Sequence, residues 1–261
     1  MTNAGIVASA ERLDEYSRNG FVVIPGMLPA DEVSVLRDSL QRCVDEDLAR
    51  WGENYADRWM VHNLMLRGRE FERILENPTM HAYLSAILDD KCIVYAYTSS
   101  SMPPNGSNYS RRVHVDCPRF IPGYTTNVGV VFALDDFLPE NGATYFLPGS
   151  YQSPERPTEA EFSDRAVQAL PRAGDGIIFN ARTWHSGGTN TTSRARHALT
   201  INVCRSYMRQ RFDYPRMTPA DTFGRLGAVG RRFLGFNVRM PASLDEYYLP
   251  ESERLYKAGQ G

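Results

Sequence analysis

Apolar and polar positions change their period near residue 92. Before it, Val33, Leu36, Leu40, Val44 and Leu48 recur at spacings of three and four within "LPADEVSVLRDSLQRCVDEDLARW". That spacing, with Pro29 near the start and acids in the first turn, predicts a helix with one buried face. "ERLDEYSRNG" predicts a shorter helix that Gly20 ends as a C-cap, and "FVVIPG" a short apolar strand broken by Pro25 and Gly26. From Cys92 onward the chain turns to short runs rich in Val, Ile, Tyr, Phe and Thr, separated by Pro, Gly and Asn. "CIVYAYTSS", "RRVHVD", "TTNVGVVFALDD", "ATYFLPG", "GIIFNA" and "HALTINVCRSY" read as strands, and "PENG" as a hairpin turn between two of them with Asn141 and Gly142 at its tip. Many short antiparallel strands with helices ahead of them predict a mainly β fold with flanking helices, built on a jelly roll or barrel.

The chain has 261 residues, enough for one domain with a sizeable core. We expect a helical part over 1–90, a jelly-roll core over 91–208, and a basic, then helical segment over 209–261 that serves as a lid or a dimer contact. A formal net charge of -2 supplies no global basic field, which argues against nucleic acid and for a small-molecule substrate. No run approaches the ~18 apolar residues of a membrane span, and the N-terminus lacks a secretory pattern. The expectation is a soluble, cytoplasmic monomer or homodimer. Four cysteines (Cys43, Cys92, Cys117, Cys204) show no C-x-x-C spacing and read as buried, reduced thiols.

The candidate chemistry begins in "RRVHVDCPRF". Alternate residues of a strand share a face, so His114 and Asp116 would converge on one point, with Cys117 on the other face. The pair needs a third ligand. His185 supplies one, following "GDGIIFNARTW" and preceding the turn "SGGTN". Two imidazoles and a carboxylate suit non-haem Fe(II) with open positions for oxygen chemistry, but zinc hydrolases use the same ligand types. Arg196, 11 residues beyond His185, helps to choose: an inward guanidinium could pair bidentately with the far end of a dicarboxylate co-substrate that chelates iron. His62, His81 and His197 have no partners at ligand spacing and read as structural.

"HVD" at 114–116, "ENGATYFLPGS" at 140–150, "AGDGIIFNARTWHSGGTN" at 173–190 and Arg196 resemble the phytanoyl-CoA dioxygenase family of Fe(II)- and 2-oxoglutarate-dependent oxygenases. "YSRNGFVVIPGMLPADEVSVLRDSL" is similar to that family's start, so the likeness spans roughly residues 13–207. The resemblance implies a double-stranded β-helix, Fe(II) held by His114, Asp116 and His185, and 2-oxoglutarate held at its distal carboxylate by Arg196, with Thr144 as a further co-substrate contact. It also implies O₂ consumption with release of succinate and CO₂, hydroxylation being the default outcome. An Asp at 116 fills the position that related halogenases leave to a halide. Three positions depart from the family pattern: Tyr151 stands where His is common, Val131 where Trp is common, and Arg112 where Gln is common. Arg112 falls on the ligands' face by strand alternation and is a candidate for an anionic group of the substrate.

The leading expectation is therefore an oxygenase acting on a C–H bond of a small molecule, plausibly a secondary metabolite. A jelly-roll hydrolase or isomerase that never uses O₂, and a non-catalytic binding barrel, are the alternatives. Arg196 argues against the first and the complete ligand set against the second.

Overall fold

The computed structural model describes residues 6–52, 54–254 and 259. Helix α1 (Ala10–Asn19) ends where expected, at Gly20, whose φ of 81° lies in the left-handed region and whose N–H donates to the Tyr16 carbonyl at 2.7 Å. Strand β1 (Phe21–Ile24) and helix α2 (Ala30–Trp51) follow, then the shorter α3 (Arg69–Ile74) and α4 (Pro78–Ile87). The remaining strands are β2 (Ile93–Ser99), β3 (Asn127–Ala133), β4 (Tyr145–Phe146), β5 (Val167–Gln168), β6 (Gly176–Asn180), β7 (His185–Ser186) and β8 (Ala198–Cys204). They form two antiparallel sheets, a large one in the order β1-β6-β3-β8-β2 and a small one in the order β5-β4-β7. The fold is a jelly roll with flanking helices, as the strand pattern predicts.

Both faces of the large sheet are covered, and strand alternation decides which residue goes where. Val128, Val130 and Phe132 of β3, with Leu199, Ile201 and Val203 of β8, pack against Leu36, Leu40 and Val44 of α2 in the outer core. Val131, Ala133, Ile177, Phe179 and Ala198 face the other way and meet Phe146 of the small sheet in an inner core. Gly129 is the gap in that inner face. A Cβ there would fall inside the envelope of the Phe179 ring, so glycine lets this ring lie flat across the sheet.

Two expected features are corrected. The turn at "PENG" forms, with the Asn141 N–H donating to the Leu138 carbonyl (3.2 Å) and Gly142 at φ 85°, but it joins no hairpin. Both edges of β3 are already taken by β6 and β8, so the chain crosses between sheets and β4 pairs with β5 and β7 instead. "RRVHVD" is not a regular strand either. Its potential partner β7 is only two residues long, because "SGGTN" turns away, and one bridge, His114 with His185, is all that pairs.

The C-terminal segment folds as α5 (Glu159–Arg165) never does, onto the outer core: α6 (Tyr214–Met217), α7 (Ala220–Arg225) and α8 (Ala228–Phe233) bury Tyr214, Leu226 and Phe233 there. Glu72 of α3 anchors them, accepting from Arg225 Nε at 2.9 Å and from the Thr222 hydroxyl at 3.2 Å. The four cysteines are buried and unpaired, and burial pushes the Cys92 and Cys204 thiols up to about 12.

Candidate metal centre

His185 opens β7, and its backbone exchanges two hydrogen bonds with His114 (2.9 and 3.0 Å), so the two imidazoles are set by one bridge. Alternation around His114 holds without a ladder. Val113 and Val115 pack on the small cluster of Leu147, Phe162 and Trp184, which turns His114 and Asp116 to the opposite side. Cys117, the next residue, is buried as expected. Asp116 Oδ1 lies 3.5 Å from His114 Nε2 and 3.7 Å from His185 Nε2, and the three ligand atoms all fall within 4.8 Å of one another. A divalent ion bonded to each at about 2.1 Å would draw such atoms to roughly 3 Å apart. The site is close to that already.

Each imidazole is presented in the tautomer a metal needs. His114 Nδ1 donates to the Arg112 carbonyl at 2.6 Å and His185 Nδ1 to the Thr183 carbonyl at 2.9 Å, leaving both Nε2 lone pairs for an ion. Rings of Phe179 and Phe146, with centroids 5.1 and 5.6 Å from that of His185, wall this ligand from water. Burial opposes a charge on His114, but Asp116 and the Arg112 carbonyl outweigh it and raise its pKa. For Asp116 burial is likewise outweighed, by both imidazoles and an amide, so its carboxyl is held below the usual range. His185, more deeply enclosed, is pushed down by burial despite Asp116.

That amide belongs to Asn202, on the inner face of β8. Its Nδ2 donates to Asp116 Oδ2 at 3.2 Å, while Asn127 Nδ2 of β3 donates to its Oδ1 at 3.4 Å, which fixes the amide's orientation. With Oδ2 engaged, Asp116 offers an ion one oxygen rather than two. Sequence reading missed both asparagines, although a polar residue at an interior position of "HALTINVC" was the available signal. Asn202→Ala is expected to weaken Co(II) or Fe(II) binding about 10- to 100-fold, the usual effect of removing a group that orients a ligand. Calorimetric metal titration of the variant checks it, and wild-type affinity would refute it.

Arg196, just before β8, is 2% exposed. Its guanidinium donates to the Ser100 carbonyl at 3.2 Å and the Gly142 carbonyl at 3.1 Å and stacks 4.0 Å from the Phe137 centroid. No acid pairs with it among the described residues, and its Nε–H has no partner. Burial drives its pKa down to about 9. A desolvated cation with a spare donor is costly unless an anion completes it, so this corner fits a carboxylate as the three ligands fit a divalent ion. Thr200, whose buried hydroxyl also lacks a partner among the described residues, lies on β8 between Arg196 and Asn202 in the chain.

Other expected residues contribute less geometry. Arg112 has an exposed side chain, and what reaches the centre is its carbonyl. Thr144 is half-buried beside β4, where its carbonyl accepts from the Ala169 N–H at 2.9 Å. His62 pairs with Asp57 (3.0 Å), His81 Nε2 donates to the Leu75 carbonyl (2.8 Å), and His197 lies between Ser101 and Gln41 (2.8 and 2.9 Å). None of the three belongs to the metal cluster.

A jelly roll carrying two imidazoles and one carboxylate about one point, with a buried arginine that has no acid partner among the described residues, fits a metal-dependent enzyme with an anionic co-substrate. The family model for phytanoyl-CoA dioxygenase (PhyH) matches residues 16–198, and the chain belongs to that family. It is accordingly a non-haem iron, 2-oxoglutarate-dependent dioxygenase, with Fe(II), 2-oxoglutarate and O₂ as its cofactor and co-substrates. The uncharacterized protein Rv1501 of Mycobacterium tuberculosis is 29% identical, covering 93% of this chain and 92% of its own length. Dioxygenase sphC of Aspergillus fumigatus is 24% identical over 88% of this chain and 68% of its own. The fold is similar to that of the epimerase SnoN, solved with Fe3+, alpha-ketoglutarate and nogalamycin RO (TM-score 0.59, 24% identity, 74% of this chain and 82% of that one). No helix among the described residues is long and apolar enough to cross a membrane.

Proposed function

We propose that this protein oxidises a C–H bond of a small organic molecule, with hydroxylation the default outcome, and that His114, Asp116 and His185 are its iron ligands. The observation that carries this reading is Arg196, a buried guanidinium with no acid partner among the described residues, in a chain whose His114–Asp116–His185 triad has its tautomers already set for a metal. Bound at the triad, Fe(II) with 2-oxoglutarate and O₂ supplies an oxidising equivalent as the keto acid is decarboxylated to succinate and CO₂.

The chain's own work is placement. Arg196 receives the distal carboxylate of 2-oxoglutarate with its charge and its unpartnered Nε–H, with Thr144 and the Thr200 hydroxyl as further polar contacts. Asn202 engages one oxygen of Asp116 and would leave the other for the ion. Asp116 itself occupies the place a halide would need, which favours oxygenation over halogenation. Phe146 and Phe179 keep water from the His185 side.

The substrate class rests on the relatives. SnoN is solved with nogalamycin RO, and a small secondary metabolite is the corresponding reading here. Arg112, exposed beside His114, suits an anionic or strongly polar group on that substrate. Arg112→Ala should raise the substrate KM about tenfold with kcat little changed, as loss of one charge-assisted contact does. An unchanged KM removes the contact. The reaction class is tested by incubating purified protein with Fe(II), 2-oxoglutarate and O₂ and measuring succinate. Formation that needs both Fe(II) and O₂, even slowly without substrate, supports the reading; none with any candidate small molecule argues against it.

A further inference from the structure

On the rim of the large sheet, beyond the loop that follows Asp116, lies a cavity of about 550 Å³. That is within the usual range for small-molecule sites. Its walls are α1, the end of α4, the loop over 120–126, and the side chains of Tyr151 and Arg182. No lining residue is acidic, in a chain with 31 acids, and one is a buried cation.

Arg182 is 8% exposed. Its guanidinium donates to the Pro118 carbonyl at 3.1 Å and the Ser153 carbonyl at 2.8 Å and faces the Phe120 ring at 5.5 Å, and its Nε–H has no partner among the described residues. The two carbonyls hold the group in place but leave its charge uncompensated. A purely structural clamp of this kind needs donors, not a positive charge, and burying the charge without an anion is unfavourable.

Four of the other fifteen lining residues are aromatic, and Ser17, Thr125, Thr126, Gln152 and Asn180 add polar groups. Phe120, Tyr124 and Tyr151 supply three rings, and Tyr16, 6% exposed, adds a fourth. Tyr151 departs from the family pattern, and here its hydroxyl donates to the Ser17 carbonyl at 2.6 Å, closing one side of the cavity. Ile121 and Tyr124, each 41% exposed, make an apolar rim. Aromatic rings in a lining without an acid, beside one guanidinium that has no acid partner among the described residues, describe a complement for an aromatic acid.

We propose that this rim cavity is a second small-molecule site, separate from the iron and 2-oxoglutarate corner, that takes an aromatic carboxylate with its acid group on Arg182. The ring lies among Phe120, Tyr124 and Tyr151. Occupancy braces the loop that begins at Asp116, because Arg182 already grips Pro118 and the Cys117 N–H donates to the Ala181 carbonyl at 3.0 Å.

Fluorine NMR titration of the full chain with 3-fluoro-4-hydroxybenzoate tests the site, with Zn(II) and 2-oxoglutarate present so that Arg196 is occupied. The acid is expected to bind saturably. The matching neutral amide, and the acid with Arg182→Met, should each bind at least about tenfold more weakly. Arg196→Met should leave the affinity unchanged, so the result does not depend on the proposed iron chemistry. Should Arg182→Met fail to fold, Ile121→Trp, which fills the mouth from an exposed position, should abolish binding instead. Absence of saturable binding at millimolar acid, or binding that survives Arg182→Met or, in its place, Ile121→Trp, or binding lost only with Arg196→Met, overturns the proposal.

Discussion

Asp116→Ala is expected to abolish succinate formation, with metal affinity reduced by well over about 100-fold. Removal of a group that merely orients a ligand costs about 10- to 100-fold, and Asp116 is the one carboxylate of the three proposed ligands. It also holds the site together electrostatically. The carboxylate lies between two imidazole Nε2 atoms at 3.5 and 3.7 Å, and it outweighs burial in raising the His114 pKa. Without it, two neutral imidazoles remain with ring centroids 4.2 Å apart and nothing to balance a divalent charge. Calorimetric titration with Co(II) and a succinate assay measure the two losses together. Far-ultraviolet circular dichroism should be unchanged, since Asp116 belongs to no strand ladder. Retention of tight metal binding would exclude Asp116 as a ligand.

Arg196→Met is expected to separate co-substrate from metal. The affinity for 2-oxoglutarate should fall by about 3 kcal/mol, or ~150-fold, the scale for deleting one partner of a buried charge pair. Metal affinity without 2-oxoglutarate should stay near that of the wild type, because Arg196 touches carbonyls and the Phe137 ring rather than any ligand. Thermal stability without ligands should change little. The substitution removes a desolvated cation that has no acid partner while leaving the carbonyls of Ser100 and Gly142 unsatisfied, and these effects oppose each other. The informative readout is the rise in Tm on adding 2-oxoglutarate with Co(II), which should vanish in Arg196→Met and return in part with Arg196→Lys, which keeps the charge but loses the fork. A normal Tm rise in Arg196→Met would place the co-substrate elsewhere.

Much of this site can be read from the sequence because its signals are local. Alternation within "RRVHVD" brings His114 and Asp116 together even though only one residue of it pairs, since Val113 and Val115 still need an apolar surface and find Trp184. The glycine at 20 and the period of α2 fix the helical entry in the same local way. What the sequence does not disclose depends on partners far along the chain. Nothing near "PENG" reveals that β3 is already flanked by β6 and β8, so the local pattern predicts a hairpin that the sheet order does not allow. Asn127 and Asn202 are 75 residues apart and meet only because β3 and β8 are neighbours in register. The cavity at Arg182 is also a product of assembly, formed where α1, α4 and a loop from the middle of the chain converge.

The central claim is that the triad and Arg196 form one site that binds Fe(II) and 2-oxoglutarate together. Anaerobic titration of the Fe(II)-loaded protein with 2-oxoglutarate measures this directly, through the weak visible charge-transfer absorption of a keto acid chelated to iron. The account predicts a band that saturates at one equivalent of iron per chain, is absent in His185→Ala, and in Arg196→Met requires far more 2-oxoglutarate to appear. A protein that binds Fe(II) yet develops no band at saturating 2-oxoglutarate, or whose band is indifferent to Arg196, would contradict it.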